Sequence, residues 1–249
     1  MLVAAAALFA VFLAIEARVP ASLMPLGLFR LRNLATANGL AVLMAGAMFA
    51  WFFLSALYLQ RVLGYSPLEV GLAFLPATLT MGAFSLGLSA KIVIRFGIKT
   101  PLVTGLALFV LGLAFFARAP GDGSFALDVL PGMILLGLGA GLAFNPLLLA
   151  AMSGVAPTES GLASGIVNTA QMMGGALGLA VLASLAASRT NDLTASGDSP
   201  LAALNGGYHA AFLAGAAFAL VAGILAAVLL RGAAPAPAHE PEATGAPAT

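Results

Sequence analysis

Polar and apolar positions along the chain fall into six long uncharged runs, at residues 34–60, 70–90, 101–117, 129–152, 161–187 and 208–230. Short polar connections separate them at 61–69, 91–100, 118–128 and 153–160, with a longer one at 188–207. At ~1.5 Å rise per residue, about 20 apolar residues of α-helix cross a hydrocarbon core of roughly 30 Å. The pattern therefore predicts an all-α membrane protein of six transmembrane helices. Before them, residues 1–15 are apolar but reach Glu16 and Arg18 too soon for a span. No basic segment precedes this stretch and no clean A-x-A site ends it, so it reads as the tail of a partial helix rather than a signal peptide. Residues up to 33 follow as a linker broken by Pro20 and Pro25, and the Ala- and Pro-rich residues 231–249 predict a disordered tail. The expected division is 1–33 partial helix and linker, 34–230 six-helix domain, and 231–249 tail.

The fifth run has an unusual face. On a period near 3.6, Ser164, Asn168, Gln171, Gly175 and Gly178 share one stripe. Gly161 with Gly165, and Gly174 with Gly178, form small-xxx-small pairs that let another backbone approach closely. Amides at membrane depth face neighbouring helices or a water-filled path, because facing lipid is costly. The pattern alone is consistent with either. Elsewhere, Asn145-Pro146 follows a run of glycines in the fourth helix, and Pro76 has Thr78 and Thr80 close by to bond freed carbonyls.

Composition sharpens the picture. Of 249 residues, 61% are hydrophobic and 8% charged, with mean hydropathy +1.07, against about 25% charged in soluble domains. A net charge of +1 offers nothing to nucleic acid. There is no cysteine, and His209 and His239 are too few and too separated for a metal cluster, so neither metal nor cofactor is expected. Ser164 in Leu162-Ala163-Ser164-Gly165 resembles the serine segment of six-helix intramembrane rhomboid proteases. The histidine nearest the membrane, His209, belongs at the opposite side, which removes the dyad. No run carries two carboxylates, and an enzyme is not expected. None of the runs contains Asp or Glu at all, so a titrating group for proton coupling must lie elsewhere. Basic residues set orientation: Arg18, Arg30, Arg32, Lys91, Arg95, Lys99 and Arg231 share one side, against Arg61, Arg118 and Arg189 on the other. The richer side is expected in the cytoplasm of a plasma-membrane protein, with linker and tail both inside.

Three stretches carry a family resemblance. Tyr58-Leu59-Gln60, then Val62-Leu63-Gly64-Tyr65-Ser66-Pro67, with Gly71 and Pro76, resembles a segment of the fourteen-helix drug/proton antiporters of the major facilitator superfamily, the EmrB/QacA type. The segment from Gly161 through Asn168-Thr169 to Gly178 resembles the penultimate helix of the same group. Arg95-Phe96-Gly97-Ile98-Lys99 is similar to a degenerate copy of the superfamily's cytoplasmic D-R-x-G-R-K loop. Ile94 and Ile98 replace its acidic and second basic positions, leaving a turn at Gly97 anchored by Arg95 and Lys99. Met172 stands where relatives often carry a second glutamine.

The resemblance covers residues 16–231 and implies the C-terminal half of such a carrier. Its expected partners are the lipid bilayer, an amphipathic small-molecule substrate, protons, and an N-terminal half that holds the intramembrane acid. On this reading the cavity candidates are Asn38, Trp51, Phe52, Tyr58, Asn145, Ser164, Asn168 and Gln171. Packing, or for the aromatics an interfacial belt, is the alternative at each position. The rival for the whole chain is a non-transporting membrane module, truncated or partner-binding.

Overall fold

A computed structural model describes residues 31–230 together with Val11. The expected partial helix and linker before residue 31, and the tail from residue 231, lie outside the described residues.

The chain is an all-helical, multi-pass membrane domain. Among the described residues, six helical stretches are long and apolar enough to cross a membrane: Arg32–Arg61, Pro67–Leu88, Lys99–Phe116, Phe125–Met152, Pro157–Ala195 and Pro200–Leu229. The first is one unbroken helix, α1 (Arg32–Arg61). The second is built from α2 (Pro67–Ala73), α3 (Leu75–Ala83) and a π-helical segment (Phe84–Leu88), and α4 (Ser89–Phe96) prolongs it. Then come α5 (Lys99–Phe116), α6 (Leu130–Met152) entered through a π-helical turn (Phe125–Val129), α7 (Ser160–Ala195) and α8 (Pro200–Leu229).

Local chemistry explains the starts and breaks. Ser66, Pro67 and Glu69 form a complete capping box: the Ser66 N–H donates to Glu69 Oε2 at 2.8 Å, and the Glu69 N–H to Ser66 Oγ at 3.4 Å. Ser199 caps α8 in the same way, accepting from the Ala202 N–H at 3.3 Å. Phe74 separates α2 from α3; in the first turn of α3, Pro76 has no N–H to give, and the Thr78 hydroxyl donates to the Phe74 and Leu75 carbonyls, each at 3.1 Å. Pro146, by contrast, sits within a continuous α6.

Two connections differ from the pattern expected of them. The polar stretch 188–207 is not a long loop. α7 runs on to Ala195 and α8 begins at Pro200. The helix satisfies its own hydroxyls there: Thr190 and Thr194 each donate to the carbonyl four residues back, at 2.8 Å. The reversal is confined to the residues around Gly197, whose φ of +95° suits only glycine. Likewise Lys91 and Arg95 are helical, and the chain turns at Gly97, with φ +74° and its N–H on the Val93 carbonyl at 2.8 Å. Charge marks where a helix leaves hydrocarbon, not where it stops.

Packing is governed by glycine faces. α1 and α7 run in the same direction with Gly46 opposite Gly174 and Gly178; a Cβ on Gly178 would collide with the Gly46 Cα, and one on Gly174 with Val42. α5 and α6 touch backbone to backbone as well, since a Cβ on Gly105 would lie 2.7 Å from the Gly139 carbonyl oxygen. Two buried clusters fill the interior. One centres on Trp51, Phe109, Phe116 and Phe212, the other on Leu34, Leu40, Leu102 and Leu147. Burial is uneven between spans: 56% and 61% of the first and fourth, but 17% and 28% of the second and fifth. By this measure, taken over the most apolar 18 residues of each span, the second and fifth are the least covered, with the sixth close behind at 33%.

Candidate functional site

The fifth span presents its polar stripe outward. Ser164 and Asn168 are exposed and Gln171 is half-buried. Thr169, also exposed, donates to its own Gly165 carbonyl at 2.8 Å, and no hydrogen bond joins Ser164, Asn168 or Gln171 to another helix among the described residues. The glycines of this helix divide in two. Gly174 and Gly178 meet α1 backbone and Gly175 meets the Phe49 ring, whereas a Cβ on Gly161 or Gly165 would have nothing within 4 Å. The helix is thus seated on α1 by its middle, while the face from Gly161 to Asn168 is open.

Asn38 of α1 is half-buried. It lies one turn before Val42, which meets Gly174, on the same helix. Its Nδ2 donates to the Leu34 carbonyl at 2.8 Å, leaving Oδ1 buried without a partner. A buried amide oxygen left unpaired costs on the order of 1–3 kcal/mol.

The other candidates do not join them. Asn145 is bound across the bundle, its Nδ2 donating to the Ser85 carbonyl at 2.8 Å and to Ser85 Oγ at 3.2 Å. It fastens α6 to the π-helical segment of the second span. Asn145→Leu is expected to weaken that link by about 1 kcal/mol, read as an earlier midpoint in detergent-induced unfolding; an unchanged midpoint would show that the amide bears no load.

Trp51 and Tyr58 depart from a cavity position: each is 1% exposed. Trp51 packs edge-on to Phe109, with centroids 5.8 Å apart and planes at 90°, and its Nε1 has no partner. Phe52 stacks on Phe74 at 5.5 Å and 16°, fixing the junction of α2 and α3 against α1. Tyr58 donates its hydroxyl to the Pro120 carbonyl at 2.7 Å. These aromatics fill the interior because α1 is covered on three sides, a property that the apolar, nearly uniform run 34–60 does not reveal.

In the cytoplasmic-type loop, the Arg95 guanidinium lies over the Phe96 ring, 5.4 Å from its centroid. Lys99 begins α5 directly after the Gly97 turn.

Several polar residues were not singled out by sequence pattern. Asn205 and His209 of α8 converge on one carbonyl, that of Ala119, at 3.2 and 2.8 Å. Together with Tyr58 on Pro120 they clamp the loop between α5 and α6 from two helices. Their four-residue spacing was the available signal, since it places both on one helical face. Ser85, which answers Asn145, carried no such signal.

The described residues thus form a polytopic helical membrane domain with an amide-bearing exposed face on its fifth span. The sequence profile described as Major Facilitator Superfamily matches residues 1–179, and the chain belongs to that superfamily of transporters. It is 37% identical over 221 residues to the cephamycin export protein CmcT of Amycolatopsis lactamdurans, covering 88% of this chain and 44% of that protein. With the puromycin resistance protein pur8 of Streptomyces alboniger it shares 34% identity over 236 residues, 92% of this chain and 46% of the relative. With the lincomycin resistance protein of Streptomyces lincolnensis it shares 38% over 184 residues, 74% and 38% of the two chains. The chain spans less than half the length of these relatives.

Proposed function

We propose that this chain forms the C-terminal wall of an exporter of amphipathic drugs or related small molecules, driven by proton antiport and completed by an N-terminal half. One observation carries the reading: Ser164 and Asn168 stand exposed within the apolar fifth span, with no side-chain hydrogen bond among the described residues. A polar face of this kind is costly against lipid and becomes favourable only against water, solute or a second bundle. The relatives named for cephamycin export and for puromycin and lincomycin resistance support antibiotic-like solutes. Soft, weakly discriminating walls suit such solutes, because they repack around different shapes.

Asn38, Ser164, Asn168 and Gln171 are the residues that would meet the solute. Gly161 and Gly165 would meet the second bundle, and the proton-carrying acid would come from that bundle, since the apolar runs hold none. The Gly97 turn, with Arg95 and Lys99, would lie in the cytoplasm of a plasma-membrane protein, together with the linker before the first span and the C-terminal tail.

The test is drug accumulation in cells stripped of their own exporters, expressing this chain alone or with a matching N-terminal half, after membrane insertion is verified for both. Export only with the added half is expected. In that pair, Asn168→Leu is expected to lower export at least tenfold with insertion unchanged. Equal loss of insertion and export would make Asn168 a packing residue, and absence of export from both preparations would favour a non-transporting module.

A further inference from the structure

At the end of the bundle where α1 and α7 finish, these helices and the first turns of α8 line an open groove of about 260 Å³. Its lining is graded along the helix axes. Phe53 and Leu57 of α1, with Ala183 and Ala187 of α7, make the deeper part apolar. Arg61, at the last residue of α1, and Asn191 of α7 line its shallow part. Because α1 and α7 run the same way, both gradients point the same way, and each spans about 12 Å at ~1.5 Å per residue.

The donors at the shallow end are one-sided. Thr190 spends its hydroxyl proton on the Ala186 carbonyl at 2.8 Å, and the Tyr208 hydroxyl, also in the lining, accepts from Arg61; the other guanidinium N–H groups and the Asn191 amide remain to meet a ligand. No carboxylate lines the groove to neutralise Arg61. Guanidinium forks pair bidentately with phosphate and carboxylate oxygens. The volume falls below that of ordinary drug-sized pockets, roughly 300–1,000 Å³. It suits a headgroup with a few methylenes.

We infer that this groove binds an anionic amphiphile, its acid group on Arg61 and Asn191 and its chain directed down the Phe53–Ala183 wall. The inference is independent of the export reading, because it uses neither the open face of α7 nor a second bundle. Chain and headgroup are separated as a bilayer separates them, so the occupant can enter sideways from the membrane without crossing water.

The test uses the full chain in nanodiscs of equal phosphatidylglycerol and phosphatidylcholine, with the lipids retained after detergent transfer counted by native mass spectrometry. Phosphatidylglycerol is expected to be retained at least fivefold over phosphatidylcholine. Arg61→Gln should bring the ratio to about one and Arg61→Lys should restore part of it. Ala187→Leu, which fills the apolar end without altering charge, should also lower retention. Arg189→Gln removes an exposed cation that does not line the groove and should change nothing. Circular dichroism confirms that each variant keeps its helices.

Equal retention of the two lipids, or full preference in Arg61→Gln, overturns the proposal. Competition then separates the sources. Displacement by dodecanoate shows that any single-chain acid suffices, whereas resistance to it assigns the site to the glycerophosphate of a membrane lipid. Displacement by inorganic phosphate alone would mean that the apolar wall contributes nothing and would overturn the amphiphile.

Discussion

Gly178→Leu is expected to abolish the folded bundle, shifting detergent-induced unfolding by about 3 kcal/mol or more. The argument is steric. A Cβ at Gly178 already collides with the Gly46 Cα, and the Gly178 backbone faces Gly46 across the most extensive helix contact in the molecule. Leucine adds four carbons where one does not fit, and the obstacle is backbone on both sides, which moves only if the helices part. Overpacking a well-filled core by far less costs roughly 1–3 kcal/mol. Separating α1 from α7 also unseats Gly174 from Val42 and Gly175 from Phe49, so the loss propagates along the contact. A midpoint within about 0.5 kcal/mol of the parent would mean that the two helices do not meet as described.

Gly165→Phe is expected to show the opposite profile. Nothing lies within 4 Å of a Cβ at that position, so the six-helix domain gives way to the ring without strain and unfolding should stay within about 0.5 kcal/mol of the parent. Export with an N-terminal half should nevertheless fall to background, a loss of at least tenfold, because whatever seats on the open face of α7 must now meet a phenyl ring. Undiminished export would remove this face from both the solute path and the contact with the second bundle. The two glycines stand on the same helix less than four turns apart, so the contrast isolates what covers each of them.

The six spans were legible because absence of charge over about twenty residues has one physical meaning in a chain this apolar. Their ends were less legible. Ser188, Arg189, Thr190 and Asn191 read as a loop by polarity, yet the threonine hydroxyls bond back to the helix, and α7 extends beyond its apolar run. The signal for the true turn was a single glycine, Gly197, among small polar residues that favour turns and helix caps alike.

The open face was legible in part. Ser164, Asn168 and Gln171 share a stripe by period alone, but which of two glycine pairs on the same helix would be covered depends on where α1 lies. That is decided by residues more than a hundred positions earlier. For Trp51 and Tyr58, packing was the alternative to a cavity, and their burial agrees with packing. Aromatic rings serve a cavity wall and a packed interior equally well by chemistry, and α1 has apolar residues all round, so no face of it announced itself. Asn145 was recognised as a polar intrusion, but its bond to Ser85 joins two helices that no local pattern connects.

The pairing of α1 with α7 also sets a clock. Val42 and Gly174, which meet in the finished bundle, are separated by about 130 residues, so at ~5–20 residues per second of synthesis the first helix waits on the order of ten seconds for its principal neighbour. During that interval Gly46 has no backbone to rest on, and the first span must remain stable in lipid by its own apolar length. A ribosome that stalls before the fifth span leaves the first one stranded, with its glycine face open to any other helix in the membrane.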